Sequence, residues 1–139
     1  MYQKIVIVGN LGRDPEMRYT PSGQAVTNLN VATNNRWTDK EGNPKEETTW
    51  FRVSVWGKQA EACNQYLSKG RQVLVEGRLR VDPATGGPRI WTGNDGQPRA
   101  SYEINALSVR FLGGRGEAAE PPATEGEPPP DLNEGELPF

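Results

Sequence analysis

The sequence predicts a small all-β barrel of five strands, with one helix between the third and fourth and an unstructured acidic C-terminal end. Three observations carry this. Five short runs rich in Val, Ile, Thr and aromatic residues are separated by Gly, Pro, Asn and Asp clusters. A single segment, after the third run, changes to helical spacing. Beyond Gly113 the chain turns to Gly, Ala, Glu and Pro, with five of its 12 prolines between Pro121 and Pro130, a composition that cannot bury a core.

Taken in order, "KIVIVG" (Lys4–Gly9) is a continuous β-branched run, the pattern of a strand buried on both faces. "NLGRDPEMRYTPSG" follows and closes on the turn signal Pro21–Gly23. "QAVTNLNVAT" (Gln24–Thr33) is the second strand. Asn34–Glu47 reads as a charged loop forming a protruding hairpin around "EGNP", and "TWFRVSVW" (Thr49–Trp56) is the third strand. In "GKQAEACNQYLSKG" Ala60, Cys63 and Leu67 share one helical face, with Gly70 placed as the C-terminal stop. "RQVLVEGRLRV" (Arg71–Val81) is the fourth strand. Asp82–Arg99 has two turn clusters around a short "RIWT" and reads as an excursion hairpin; "ASYEINALSVRFL" (Ala100–Leu112) is the fifth strand. This order is that of the oligonucleotide-binding barrel, although other small β-barrels share much of it.

Charge is unevenly distributed. Residues 1–116 hold all 16 Lys and Arg against 11 Asp and Glu, a balance of +5, whereas residues 117–139 hold seven carboxylates and no base. A basic body with an acidic tail points to a polyanionic partner for the body. The single cysteine, Cys63, cannot form an internal disulfide and suits a reducing cytosol. No apolar run approaches the ~20 residues that span a membrane. The chain enters a strand within four residues, which leaves no room for a targeting peptide, so a cytoplasmic protein is expected.

Catalysis is poorly supported. The chain has no histidine, and one cysteine cannot build a thiolate metal cluster. "GNLG" is not a dinucleotide fingerprint, and Gly57-Lys58 lacks the remainder of a phosphate loop. Neither a cofactor nor a metal site is expected.

The third strand is more informative. Alternation sends Phe51, Val53 and Val55 to one face and Trp50, Arg52, Ser54 and Trp56 to the other. Burial under a second layer or a subunit accounts for a lone tryptophan, but less well for two indoles flanking a guanidinium. Trp37 and Trp91 stand in polar surroundings, "NNRWTDK" and "GPRIWTGN". Stacking on unpaired bases accounts for all four rings. Arg36, Lys40, Arg52, Lys58, Arg78, Arg80, Arg89 and Arg99 lie near them in sequence and can neutralise phosphates. Such a surface reads little base sequence.

These residues also carry a resemblance. "VGNLGRDPEMRYTPSG", "RWTDK", "TTWFRVSVWGKQAE", "YLSKGRQVLVEGRL" and the terminal "LPF" closely resemble bacterial single-stranded DNA-binding proteins, over residues 3–112 and the last few positions. The resemblance implies an oligonucleotide-binding barrel assembled as a homotetramer, wrapping single-stranded DNA without catalysis. The family's stacking positions fall on Trp37, Trp50, Trp56 and Trp91. Its basic positions match Lys4, Arg18, Lys40, Arg52, Lys58, Lys69, Arg80 and Arg99. The "GNLG" turn and the "PEMRY" segment correspond to positions of packing and strand geometry. "VDPATGG" looks like an insertion before Trp91, and Trp56 stands where many relatives have Phe.

The resemblance further implies three regions: a DNA-binding domain over 1–112, a linker over 113–130 and a partner-binding tip over 131–139. Asp131, Glu134, Glu136, Leu137, Pro138 and Phe139 form the tip, through which replication, recombination and repair proteins would be recruited. Phe139 suits an apolar pocket, Pro138 lowers the ordering cost, and the carboxylates suit a basic rim. The acids are more dispersed than the family's frequent run of aspartates. Together these readings describe a cytoplasmic, nucleoid-associated protein with no membrane contact. An RNA-preferring barrel and a protein–protein adaptor are the alternatives, the first because stacking barely distinguishes the two backbones.

Overall fold

The computed structural model describes residues 1–113, so the linker beyond Gly113 and the tip fall outside the described residues. The elements are β1 (Ile5–Leu11), β2 (Glu16–Tyr19), β3 (Ala25–Thr38), β4 (Pro44–Trp56), α1 (Lys58–Tyr66), β5 (Gln72–Leu79), β6 (Ile90–Thr92), β7 (Pro98–Ala100) and β8 (Tyr102–Leu112). Strands β1, β5, β8, β4 and β3 pair in that order, and β3 returns to β1 at Asn10↔Ala32 and Leu11↔Val31 to close a five-stranded barrel. Among the described strands only β4 and β8 pair in parallel, and the other pairings are antiparallel. With α1 between β4 and β5, this is the oligonucleotide-binding fold that the element order predicts.

Alternating β-branched residues fill the interior. Leu29, Val31, Val53, Val55, Val73, Val75 and Ile104 are fully buried, and α1 closes one end with Ala60 and Cys63, joined by Leu67 just beyond it. Polar ties fix the helix to the barrel. The buried Thr27 hydroxyl donates to the Ala60 carbonyl at 2.7 Å. Gln59 accepts from the Val109 amide at 2.9 Å and donates to the Leu107 carbonyl at 3.2 Å.

Four details differ from the sequence expectations. The strand over "KIVIVG" is buried on one face only: Ile7 is in the core, whereas Val6 is 49 % exposed. On the outer side of β1 Val6 and Asn10 are exposed and Val8 is half-buried. The second and third strands run on through the expected charged loop, pairing as far as Thr38↔Pro44. Only a turn over 39–43 remains, tied by Asp39 Oδ1 to the amides of Glu41 and Asn43. A short strand, β2, forms where only a turn-rich stretch was expected, and pairs with the start of β3. Helix α1 ends at Tyr66, with Leu67 already extended, because Leu67 must turn inward to the core. Gly70, at φ +93°, serves the following turn rather than the cap.

Candidate nucleic-acid interface

The outward face of β4 is the expected one. Phe51, Val53 and Val55 point inward, while Trp50, Arg52 and Trp56 are exposed and Ser54 is half-buried. Trp50 is 52 % exposed and Trp56 37 %, so neither ring is a core residue. The Trp50 indole lies directly over Gly12: a Cβ there would stand 2.5 Å from Cζ3 and 2.6 Å from Cη2. The "GNLG" turn is therefore part of the seat of this ring as well as a strand break.

Trp56 borders a cleft of about 250 Å³, lined also by Arg18, Val26, Asn28, Arg52, Ser54, Arg80, Arg89 and Glu103. Four arginines from four separate stretches of sequence thus meet beside one indole. Arg18 comes from β2, opposite Val26. Arg52 comes from β4, Arg80 follows β5, and Arg89 precedes β6. Arg18 and Arg52 have no ion pair among the described residues. Arg80 Nη1 and Arg89 Nη2 approach the two carboxylate oxygens of Glu103, at 3.8 and 3.2 Å.

Trp37 and Trp91, expected in loops, are on strands of two hairpin arms. Trp37 pairs with Lys45 on the β3–β4 arm and Trp91 with Arg99 on the β6–β7 arm; they are 44 % and 39 % exposed. The remaining basic positions are dispersed. Arg36 pairs with Glu46 at 3.4 Å and Arg99 with Asp95 at 2.8 Å. Lys40, Lys58, Lys69 and Arg78 are exposed, on the arm turn, the start of α1, the turn after α1 and β5 respectively. Lys4 is tied to Glu76 across β1 and β5 at 3.7 Å and lines no part of the cleft.

Sequence reasoning missed Glu103, which looks like an ordinary strand residue in "SYEIN" and is only 6 % exposed. It also missed Arg13, whose Nε and Nη2 stand 2.9 Å from the Asn30 side-chain amide and donate to its oxygen once that amide is turned to satisfy both of its ends, on the strand residue opposite Arg52. Proximity of Arg13 to the "GNLG" motif was the only available signal. Cys63 is far from any such role: burial pushes its thiol from an ordinary 9.0 up to about 12. Among the described residues, no cluster of three or more His, Cys, Asp or Glu is placed to hold a metal ion, and no helix is long and apolar enough to cross a membrane.

Comparison with known proteins agrees with this geometry. The family model described as the single-strand binding protein family matches residues 2–112, which is nearly the whole described chain. The chain belongs to this family. Among relatives, the single-stranded DNA-binding protein of Xanthomonas campestris pv. campestris is 46 % identical over 114 residues, 82 % of this chain and 62 % of the relative. That of Neisseria meningitidis serogroup A is 43 % identical over the same shares. The chain thus spans about six-tenths of the length of these two curated relatives.

Solved structures of the family superpose well. A Plasmodium falciparum SSB complex with ssDNA matches with a TM-score of 0.67 and 29 % identity, covering 81 % of this chain and 97 % of that one. A deletion mutant of the single-stranded DNA binding protein from Thermus aquaticus gives 0.64 and 35 %, covering 84 % and 53 %. Between them, the family match and these superpositions cover β1 to β8, the elements that build the cleft and both arms.

Proposed function

We propose that this member of the single-strand binding protein family binds single-stranded DNA with little sequence preference, by base stacking and phosphate neutralisation, and acts by binding rather than turnover. The observation that carries this is the convergence of Arg18, Arg52, Arg80 and Arg89 beside the exposed Trp56. An unpaired strand offers a ring face and a phosphate at every step, and this cleft offers an indole and guanidinium groups to match. Duplex bases are already stacked on one another and have no free face for an indole.

Trp56 and Trp50 form the centre of the proposed path, and Trp37 and Trp91 extend it along the two arms. Arg36, Lys40, Lys58, Lys69, Arg78 and Arg99 add exposed charge beyond the cleft; Lys4, engaged by Glu76, adds least. The family resemblance supports assembly as a homotetramer, and the uncovered Val6 on β1 is consistent with a subunit contact there. The segment 113–130, all but its first residue outside the described residues, is the proposed linker. The tip, Asp131, Glu134, Glu136 and Leu137-Pro138-Phe139, is the proposed docking signal for replication, recombination and repair proteins in a cytoplasmic, nucleoid-associated setting.

The test uses the four tryptophans as probes. Titration with oligo(dT) at low and high salt should quench indole fluorescence deeply, and more strongly at low salt. Duplex DNA should leave it nearly unchanged. Equal quenching by the matching RNA would support the stacking face but not a DNA preference, and no quenching by any nucleic acid would overturn the stacking reading.

A further inference from the structure

Glu103 is the only carboxylate among the described residues lining the cleft, and by charge alone it is out of place. A negative group next to a phosphate path repels the ligand. Yet it is held firmly: Arg89 Nη2 donates to Oε2 at 3.2 Å, the Ser101 hydroxyl donates to the same oxygen at 3.1 Å, and Arg80 Nη1 stands 3.8 Å from Oε1. The Arg80 amide also donates to the Glu103 carbonyl at 2.9 Å, so the chain after β5 is fixed to β8 at this residue.

We propose that Glu103 is a positioning residue, which holds Arg80 and Arg89 together at the floor of the cleft so that both meet the phosphodiester backbone beside Trp56. The inference rests on the single-strand-binding reading given above. Its physical basis is the mutual repulsion of guanidinium groups. Four of them share this cleft, and without a counter-charge Arg80 and Arg89 would swing apart into solvent. One buried carboxylate between them removes that tendency and still leaves the lining with three net positive charges. The arginines are then ordered before the ligand arrives, and less freedom is lost on binding.

Arg89 shows why a clasp is needed. It follows the stretch from Asp82 to Pro88, a turn held mainly by its own bonds: Asp82 N to the Gly87 carbonyl, Ala84 N to Asp82 Oδ1 and Gly87 N to Thr85 Oγ1. Among the described residues Glu103 is the sole ion-pair partner that ties the Arg89 side chain to the barrel. Arg89 Nε is buried with no hydrogen-bond partner within the protein, a donor still lacking an acceptor. That atom is shielded from solvent, but the Arg89 side chain as a whole is 40 % exposed, so part of its guanidinium stays open to a phosphate oxygen. The planar fork of arginine suits this double engagement, since one edge can meet a carboxylate while another donor meets a phosphate. Lysine, a point charge, cannot divide its geometry in this way.

The experiment measures oligo(dT) affinity across a salt series for the full chain, Glu103→Gln, Arg89→Ala and the double variant, with a thermal melt of each. Wild-type protein sets the reference slope. Glu103→Gln should weaken binding, and its salt slope should fall by about 0.7–1.4, the loss of one or two phosphate contacts at about 0.7 each. Arg89→Ala should keep the barrel folded with a slightly lower melting temperature, since Glu103 retains Arg80 and Ser101, and should lose about 0.7 of slope. In the double variant the second change should cost less than it does alone. Tighter binding by Glu103→Gln with an unchanged or steeper slope would show that Glu103 only repels phosphate, and would overturn the proposal. So would an Arg89→Ala slope equal to wild type, or a Glu103→Gln affinity loss that follows a lower melting temperature at constant slope. Failure of the wild-type protein itself to bind would instead overturn the single-strand reading.

Discussion

The cleft beside β4 and the outer side of β1 and β5 both carry basic residues, yet they differ in how the charge is held. On the β1–β5 side Lys4 is engaged by Glu76 across the strands, and the exposed Val6 stands close by in sequence. In the cleft, four arginines share one carboxylate, and Arg18 and Arg52 carry no ion pair among the described residues. A count of basic residues treats Lys4 and Arg52 alike. What separates them is whether each positive charge already has a partner, and whether a ring stands next to it.

The largest expected effect breaks the cleft itself. Trp50→Ala with Trp56→Ala should cost about 2–6 kcal/mol of oligo(dT) binding, at ~1–3 kcal/mol per stacked base. The melting temperature should hardly change, because both rings lie outside the core. A collapsed oligomer instead of lost binding would place these rings in a subunit interface. Next comes the seat of Trp50. Gly12→Ala puts a methyl where the indole edge lies, so the ring should shift and binding should weaken by up to about 1–3 kcal/mol while the barrel stays folded. An unchanged Trp50 fluorescence spectrum and affinity would count against that seat.

The comparison between the two sides is sharpened by a pair of single variants. Arg52→Ala should lower the salt slope of binding by about 0.7, and Lys4→Ala should leave it near the wild-type value. Equal slopes would mean that the Lys4–Glu76 pairing does not withhold the lysine from phosphate. The smallest effect concerns the core. Cys63 is an acid whose folded pKa lies near 12, above its ordinary 9.0. Its buried thiol form therefore adds stability in full below pH 9, and that contribution declines as pH rises from about 9 towards 12, where the unfolded chain ionises first. At pH 8 the native protein should resist thiol alkylation until it is unfolded by denaturant.

Much of this was legible in the chain because the relevant signals are local. Strand alternation has a period of two, so "TWFRVSVW" alone separates Val53 and Val55 from Trp50, Arg52 and Trp56, and β4 has that arrangement. The helical spacing of Ala60, Cys63 and Leu67 likewise fixes which side of the segment faces inward, and all three are buried. The barrel order followed from five such runs and one helix. The β1 strand misled for the same reason: an apolar run reports that both faces can be covered, whereas the described chain buries only one.

The cleft was a different matter. Positions 18, 52, 80, 89 and 103 are far apart in sequence and come together only when the barrel closes, with β2 laid on β3 and β8 running parallel to β4 so that Arg52 stands opposite Glu103. No spacing rule links them, since their separations are set by turns and by the excursion that carries Arg89. A carboxylate in "SYEIN" reads as solvated surface until two guanidinium groups are found over it. The sequence by itself determined which side chains are stackers, bases and core, because those roles follow from residue type and short-range period. The tertiary structure alone decided which bases share a site and which are already paired, because ion pairing depends on distances that only the closed barrel sets.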